Sequence, residues 1–287
     1  KKMYRTEFAG ESIESLGKLL NDETAILGER YRALRTLHRT GTEEAILEIA
    51  KCFNKSSALL KHDCAYLIGQ LHNPVANAVL RNVVEDLKQH PIVRHEAAAS
   101  LAALDGTGVY ELLQKYATDS AQEVADTCSL ALSKLDWIKT DEAIGFDFKD
   151  NPYKTNDPAP RMMKGTMNDW VQWINDESLS LFDKYRVMYS LRQDGGDEAV
   201  DALISSFSSK SVLYRHELAF VLGQMKNKKA IPALTKLLAD THENGIVRHE
   251  CTEALTQIAI EERNTPVSND CLADYSSIRK RRGTACS

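Results

Sequence analysis

The chain has 287 residues, of which 43% are hydrophobic and 27% charged, and its formal net charge is −5. This length provides ample apolar surface for a core, and the composition, rich in Ala, Leu, Glu and Lys, favours helices. The mild acidity gives no reason to expect a nucleic-acid partner. No long apolar run or leader segment is present, and the six cysteines form no CxxC pair. We therefore expect a cytoplasmic protein with reduced thiols and no membrane span.

The sequence contains two similar copies of one unit. Three pairs of segments match at a constant displacement of 154 residues: 27–46 and 181–200, 57–71 and 211–225, and 92–96 and 246–250. No gap is needed between one pair and the next. The constant offset indicates a duplicated half rather than a coincidence of composition.

A shorter period lies within each half. Amphipathic helices are predicted over 76–89 and then 93–104, and again over 230–240 and then 247–259. A helical hairpin that recurs every few tens of residues is typical of an α-solenoid, in which each pair buries its apolar face against its neighbours. We predict an all-α fold: an α-solenoid of HEAT-like helical hairpins whose two duplicated halves face each other across a linker.

Four segments follow from this pattern. We predict an N-terminal HEAT-repeat half over 1–139, a linker over 140–168 and a C-terminal HEAT-repeat half over 169–260. Residues 261–287 are predicted to be a divergent, poorly ordered tail that replaces the last repeat, because they show no helical periodicity where residues 105–138 should recur.

Five of the eight histidines are followed directly by an acid. His242-Glu243 is predicted to lie in a turn and its counterpart is Lys88, so we set it aside. The other four steps occupy one place, the opening turn of the second helix of a hairpin: His62-Asp63, His95-Glu96, His216-Glu217 and His249-Glu250. Their recurrence 33 residues apart in both halves argues against a solvated edge or an inert duplicated pair.

Matched histidines on neighbouring inner helices can approach one metal ion. Adjacent second helices pack about 8–10 Å apart, and two histidines with one carboxylate form the ligand set of non-haem Fe(II) oxygenases. Because duplication supplies this set twice, we predict a dinuclear site on a pseudo-twofold axis. Cys64 and Cys251 follow such steps but have Leu218 and Ala97 as counterparts, so they are predicted to be small core residues.

These motifs, together with SALLKH (57–62), EVADTCSLALSKLDW (123–137) and NPYKTNDPAP (151–160), resemble the deoxyhypusine hydroxylases, HEAT-repeat di-iron monooxygenases. The resemblance spans about 25 to 260. It implies hydroxylation of deoxyhypusine, a lysine extended by an aminobutyl group on translation factor 5A, to hypusine. The implied cofactor is a pair of iron ions, with O₂ as co-substrate, in a protein that we expect to be a monomer.

The resemblance also implies roles for individual residues. One iron would take His62, His95 and Glu96, and the other would take His216, His249 and Glu250. The remaining acids, Asp63 and Glu217, would be catalytic residues that hold the cationic amine of the substrate and are possible further metal ligands.

Three features depart from the family pattern. Asp63 stands where the family has Glu, which shortens its reach by roughly one C–C bond, about 1.5 Å. Ala99 replaces an acid that Glu253 keeps in the second half, and the closing repeat is missing. Three alternatives stay open: an impaired paralogue that binds the factor without oxidising it, a HEAT-repeat scaffold, and a zinc hydrolase.

Overall fold

The structure, a computed structural model, describes residues 10–104, 106–147, 150–153 and 155–264. This part of the chain is built from α-helices and short 3-10 turns, as the all-α prediction requires. The helices are α1 (Ile13–Asn21), α2 (Leu27–Thr40), α3 (Glu43–Ala50), α4 (Ala58–Gly69), α5 (Pro74–Glu85), α6 (Pro91–Leu104), α7 (Val109–Tyr116), α8 (Gln122–Trp137), α9 (Met167–Trp173), α10 (Leu181–Asp194), α11 (Gly196–Ser205), α12 (Val212–Met225), α13 (Ile231–Ala239) and α14 (Gly245–Asn264). None of these described helices combines the length and apolar content needed to cross a bilayer.

Consecutive helices pair into hairpins that stack side by side. Helix α5 packs on α6, α7 on α8 and α13 on α14, and the second helices of successive hairpins pack on one another. The stack runs α4, α6, α8 in the first half and α10, α12, α14 in the second, and the halves meet where α8 contacts α10 and α12. The predicted solenoid is confirmed.

Polar residues at the helix starts explain where the hairpins turn. Ser57 and Ser211, which are 154 residues apart, are the N-caps of α4 and α12, and each hydroxyl accepts a hydrogen bond from a backbone N–H of the first turn. Asn73 caps α5 in the same way, with Pro74 at its first position. Asn227 caps the 3-10 turn before α13. These caps satisfy N–H groups that a helix leaves without a partner.

Two boundaries differ from the prediction. Helix α9 begins at Met167, inside the predicted linker of 140–168. Helix α14 continues to Asn264, past the predicted end of the second half at residue 260. Its continuation is supported by the 2.9 Å ion pair between Glu261 and Lys226. The rest of the predicted tail, 265–287, lies outside the described residues.

Two glycines set the close approach of the inner helices. A Cβ added at Gly69 would lie 2.3 Å from Ser100 Oγ on α6, and one at Gly223 would lie 2.8 Å from Ala254 Cα on α14. These positions are also 154 residues apart. The absence of a side chain at both therefore brings α4 against α6 and α12 against α14.

We expect Gly223→Ala to lower the free energy of unfolding by about 1–3 kcal/mol, because the added methyl overpacks a backbone contact. Urea unfolding measures this change. Gly28→Ala is the matched control, since a Cβ at Gly28 has nothing within 4 Å and the helix gains propensity. Equal stabilities of the two variants would contradict the close-packing explanation.

Candidate metal centre

The four histidine–acid steps occupy equivalent places in the inner helices. His62, His95, His216 and His249 are each the fifth residue of their helices, α4, α6, α12 and α14. The steps thus stand at the start of the second helical turn rather than in the opening turn that we predicted. Since equivalent positions of stacked helices project to the same side, the four imidazoles turn towards one another.

The first half gathers three metal-type ligands. Single atoms of His62, His95 and Glu96 all lie within 4.8 Å of one another, and all three side chains are buried. Thr127 fixes the tautomer of His95 that can ligate a metal ion through Nε2. Its hydroxyl donates to the Glu123 carbonyl at 2.7 Å, so at 3.3 Å it accepts from His95 Nδ1. His95 Nε2 is left with a free lone pair that faces Glu96 at 3.9 Å.

The second half holds its ligands more loosely. His216 is buried, and its Nε2 lies 3.5 Å from Glu250 Oε2. Neither ring nitrogen of His216 has a hydrogen-bond partner among the described residues. His249 turns across to the other half, where its Nε2 lies 3.3 Å from the Asp63 carboxylate.

The two halves converge as predicted, but they are not symmetric. The ring centroids of His62 and His216 are 5.6 Å apart, and those of His95 and His216 are 5.8 Å apart. In the part of the chain that the structure describes, however, only the first-half trio forms a compact ligand group. The equal second trio expected of His216, His249 and Glu250 is not assembled, because Asp63 draws His249 towards the first half.

Asp63 is a brace between the halves. Its carboxylate accepts a hydrogen bond from Tyr31 at 2.6 Å and lies 3.0 Å from His62 Nδ1. The contact with His62 leaves His62 Nε2 facing Glu96 at 3.3 Å. A carboxylate on the far nitrogen of a ligating histidine fixes the ring orientation in metal sites. The short side chain of Asp63 therefore reaches its partners in spite of the missing methylene.

Glu217, the counterpart of Asp63, is placed differently. It turns away from His216 and accepts a hydrogen bond from the Tyr189 hydroxyl at 2.5 Å. It forms no ion pair with any described residue, although Asp63 has two histidines beside it. Tyr189 is the counterpart of Arg35, not of Tyr31, so this contact has no equivalent in the first half. Glu217 is thus a partly buried carboxylate without a counter-ion among the described residues.

The surroundings shift the pKa values in opposite directions. Burial lowers the pKa of His62, but the Asp63 and Glu96 carboxylates outweigh it and raise this pKa to about 10. Burial lowers the pKa of His95 to about 3, so this imidazole is neutral. Burial raises the pKa of Glu217 to about 7, against the opposing effect of His216 and the Tyr189 hydrogen bond.

The residues fit a metal ion. A buried polar atom without a partner costs about 1–3 kcal/mol, and a metal ion ligated by His216 satisfies one of the two orphaned nitrogens of this ring. Imidazole nitrogens and carboxylate oxygens suit iron and zinc alike. The donor set supports a metal centre without deciding between these two metals.

A cavity of about 700 Å³ contains the cluster and separates the two halves. Tyr66 and Phe220 face each other across it with ring centroids 6.4 Å apart. One wall is apolar and built mainly from small side chains: Ala99, Ala102, Ala103, Leu130 and Ala131. On another side Arg35 and Glu253 approach to 3.9 Å across the halves. The cavity therefore offers a mostly apolar channel that ends at ionisable groups.

Metal binding to this cluster is expected to release protons. His62 is protonated at neutral pH because its pKa is raised to about 10, whereas a ligating imidazole must be neutral. The apparent affinity for Fe(II) should therefore fall as pH falls, by about tenfold per pH unit for each proton displaced. Anaerobic calorimetry in buffers of different ionisation enthalpy measures the release. A binding heat that is the same in every buffer would contradict this prediction.

Fold and site together define a HEAT-repeat protein with a buried histidine–carboxylate centre between its two halves. The family model for HEAT repeats matches residues 184–283. Three relatives cover nearly the whole chain. Deoxyhypusine hydroxylase of Rattus norvegicus is 43% identical over 249 residues, which is 87% of this chain and 82% of the relative. That of Homo sapiens is 41% identical with the same shares, and that of Candida albicans is 40% identical over 266 residues, 88% and 84%.

The chain belongs to the deoxyhypusine hydroxylase family. A solved structure of human deoxyhypusine hydroxylase in complex with glycerol superposes with a TM-score of 0.79 at 41% identity. The match covers 86% of this chain and 85% of the human one. The family membership inferred from the sequence motifs is confirmed.

The other four histidines, and Cys64 and Cys251, do not belong to the cluster. His242 is exposed in a turn, and His38, His72 and His90 do not join the cluster, although His72 lies at the cavity rim. Cys64 and Cys251 are fully buried, as expected of small core residues.

The sequence analysis did not predict the two tyrosines that donate hydrogen bonds to Asp63 and Glu217. Tyr31 contacts Asp63, and Tyr189 contacts Glu217. The matched segments 27–46 and 181–200 contain both, but comparison of equivalent positions pairs Tyr31 with Tyr185, which donates to the Leu213 carbonyl at 3.4 Å instead.

Proposed function

We propose that this protein hydroxylates the deoxyhypusine side chain of translation factor 5A to hypusine, as a monooxygenase with two iron ions and O₂ as co-substrate. The observation that carries the proposal is the convergence of histidine–acid steps from both halves at one cavity: His62, His95 and His216 line it, and His249 contacts Asp63 in its wall. The relatives that share 40–43% of its residues carry the name deoxyhypusine hydroxylase.

The proposed iron ligands are His62, His95 and Glu96 for one ion, and His216, His249 and Glu250 for the other. When bound, the irons supply the reductive use of O₂, in which one oxygen atom enters a substrate C–H bond and the other leaves as water with two electrons and two protons from a reductant. The first trio is already compact. His249 has to exchange its Asp63 contact for the metal.

The free acids suit a substrate that carries two amines. Glu217 forms no ion pair with a described residue, so a substrate ammonium gains a charge-assisted hydrogen bond there that none of the described residues supplies. Asp63 is proposed to receive the second amine once His249 leaves it for the metal, while Asp63 keeps its contact with His62 Nδ1. Glu217 and Asp63 therefore orient the chain of methylenes between two fixed points, which places one C–H bond at the centre.

The apolar wall supports the same substrate. Methylene groups gain free energy by leaving water for the alanine-lined side of the cavity, whereas a more polar side chain would leave its own groups unpaired. Exclusion of water from the buried cluster also protects the reaction from side products.

We further propose that the protein works as a cytoplasmic monomer. The described cysteines Cys52, Cys64, Cys128 and Cys251 are free and buried thiols, which fits a reducing compartment.

The test is mass analysis of the deoxyhypusine-bearing factor after incubation with iron-loaded protein, O₂ and a reductant. The expected result is the gain of one oxygen atom, which is absent without O₂ and absent from protein loaded with zinc. Binding of the factor without oxygen gain would identify an impaired paralogue. If the factor is neither bound nor oxidised, the remaining alternatives are a HEAT-repeat scaffold and a hydrolase.

A further inference from the structure

The strap, which we define as residues 151–153 and 155–158, ties the two halves together along one wall of the cavity. Its residues Thr155, Asn156, Asp157 and Pro158 line the cavity. From the first half, Lys134 Nζ donates to Asn156 Oδ1 at 3.1 Å and to the Asp157 carbonyl at 2.7 Å. The Asn156 amide donates in turn to the Ala103 carbonyl of α6 at 3.2 Å.

On the second half the strap encloses a buried arginine. Arg192 of α10 is only 2% exposed, and both of its terminal nitrogens donate to the Asp157 carboxylate. The guanidinium lies between two rings, 4.5 Å from the centroid of Tyr153 in the strap and 4.6 Å from that of Tyr189. A buried guanidinium requires a paired charge, so Asp157 fixes the position of Arg192 and Arg192 fixes the face of Tyr189.

Tyr189 connects Arg192 to Glu217 at the cavity. The ring is 1% exposed, and its hydroxyl donates to Glu217 at 2.5 Å. The path exists in one half only. In the first half the Tyr31 hydroxyl donates to Asp63, but the position equivalent to Arg192 is His38. That position therefore provides no guanidinium.

We propose that Asp157 and Arg192 are positioning residues for substrate binding, which orient the Glu217 carboxylate through Tyr189. The inference rests on the proposed function, in which Glu217 holds a substrate ammonium. The strap affects how Glu217 binds the substrate ammonium and does not contact the proposed metal ligands. Its loss therefore raises KM while kcat is retained.

A double-mutant cycle tests this proposal on the full chain loaded with iron. The variants are Asp157→Asn, Tyr189→Phe and their combination, and the probe is a peptide that carries deoxyhypusine, with Kd measured anaerobically and KM and kcat measured with O₂. Each single change should weaken Kd and raise KM by about 10- to 100-fold, which corresponds to the roughly 1.5–3 kcal/mol of one hydrogen bond to a charged group. Because both act on one contact, the double variant should be no weaker than the weaker single one.

The control cycle combines Asp157→Asn with Tyr31→Phe, whose effects should multiply because Tyr31 lies outside the path. Arg192→Lys keeps the charge but loses the planar contact with both rings, so it repeats the test if Asp157→Asn does not fold, as judged by its melting transition. It should likewise raise KM at constant kcat and be non-additive with Tyr189→Phe.

Multiplying effects of the Asp157→Asn and Tyr189→Phe changes would overturn the inference, as would a fall in kcat at constant KM. Such an outcome leaves the proposed function standing as long as the unmodified protein binds and oxidises the peptide. Failure of the unmodified protein to do either would instead overturn the proposed function.

Discussion

Replacement of His62 by Ala is expected to reduce hydroxylation of the deoxyhypusine-bearing factor by at least about 100-fold. His62 belongs to the compact trio, and its ring also faces the imidazoles of His95, His216 and His249 at centroid distances of 5.5, 5.6 and 6.5 Å. Loss of a residue that only supports a metal ligand costs about 10–100-fold in metal affinity or activity. Loss of a ligand itself costs more. Oxygen gain measured by mass spectrometry gives the rate.

The matched control is His242→Ala. His242 is also followed by an acid, but it lies exposed in a turn, so its loss should leave the rate unchanged. If His62→Ala retains more than about a tenth of the activity, the assignment of this cluster as the metal centre is wrong.

Glu217→Gln is expected to raise KM for the deoxyhypusine-bearing factor by about 30-fold or more, while the iron content is unchanged. Truncating one partner of a buried charge pair costs about 2–5 kcal/mol, and each 1.4 kcal/mol is tenfold in binding. The amide keeps the size of the side chain and its hydrogen bond to Tyr189 but removes the charge that holds the ammonium.

The same residue predicts a pH dependence. Burial raises the pKa of Glu217 to about 7, and only the ionised carboxylate holds the cation. KM of the unmodified protein should therefore rise as pH falls below about 7, and this rise should be weaker in Glu217→Gln. Glu198→Gln removes one exposed carboxylate and is the charge-matched control. A Glu217→Gln variant with unchanged KM would place the amine elsewhere.

Repetition made the fold predictable from the sequence. Matches such as Ser57 with Ser211 and Gly69 with Gly223 lie at helix starts and helix crossings, so a constant offset translates directly into equivalent structure. The convergence of the histidines was predictable for the same reason, since each is the fifth residue of its helix.

The asymmetry of the site was not predictable from matched positions. Asp63 and Glu217 are equivalent in sequence, yet one contacts His62 and His249 while the other contacts only Tyr189. The partners of these two acids depend on side-chain rotamers and on residues from the opposite half. A comparison of equivalent repeat positions contains neither kind of information. The strap was missed because its partner Arg192 has His38 as counterpart and so carries no repeat signal.

The shortened acid at Asp63 still has three partners. The sequence predicts a reach shorter by about 1.5 Å, roughly one C–C bond, than that of a glutamate. The carboxylate nevertheless contacts Tyr31, His62 and His249, since all three approach it within 3.3 Å. The lost acid at Ala99 is different. Its counterpart Glu253 faces Arg35 across the halves, and Ala99 adds to the apolar wall instead.

The number of iron ions bound per chain tests the shared centre most directly. Protein loaded anaerobically with Fe(II), freed of excess metal and analysed for iron should hold two ions per chain. One of the two should be lost more readily when the loaded protein is treated with a chelator, because His249 leaves Asp63 to complete the second ligand set. A chain that retains no iron, or retains two ions after His62 and His216 are both replaced by Ala, would contradict a pocket built from both halves.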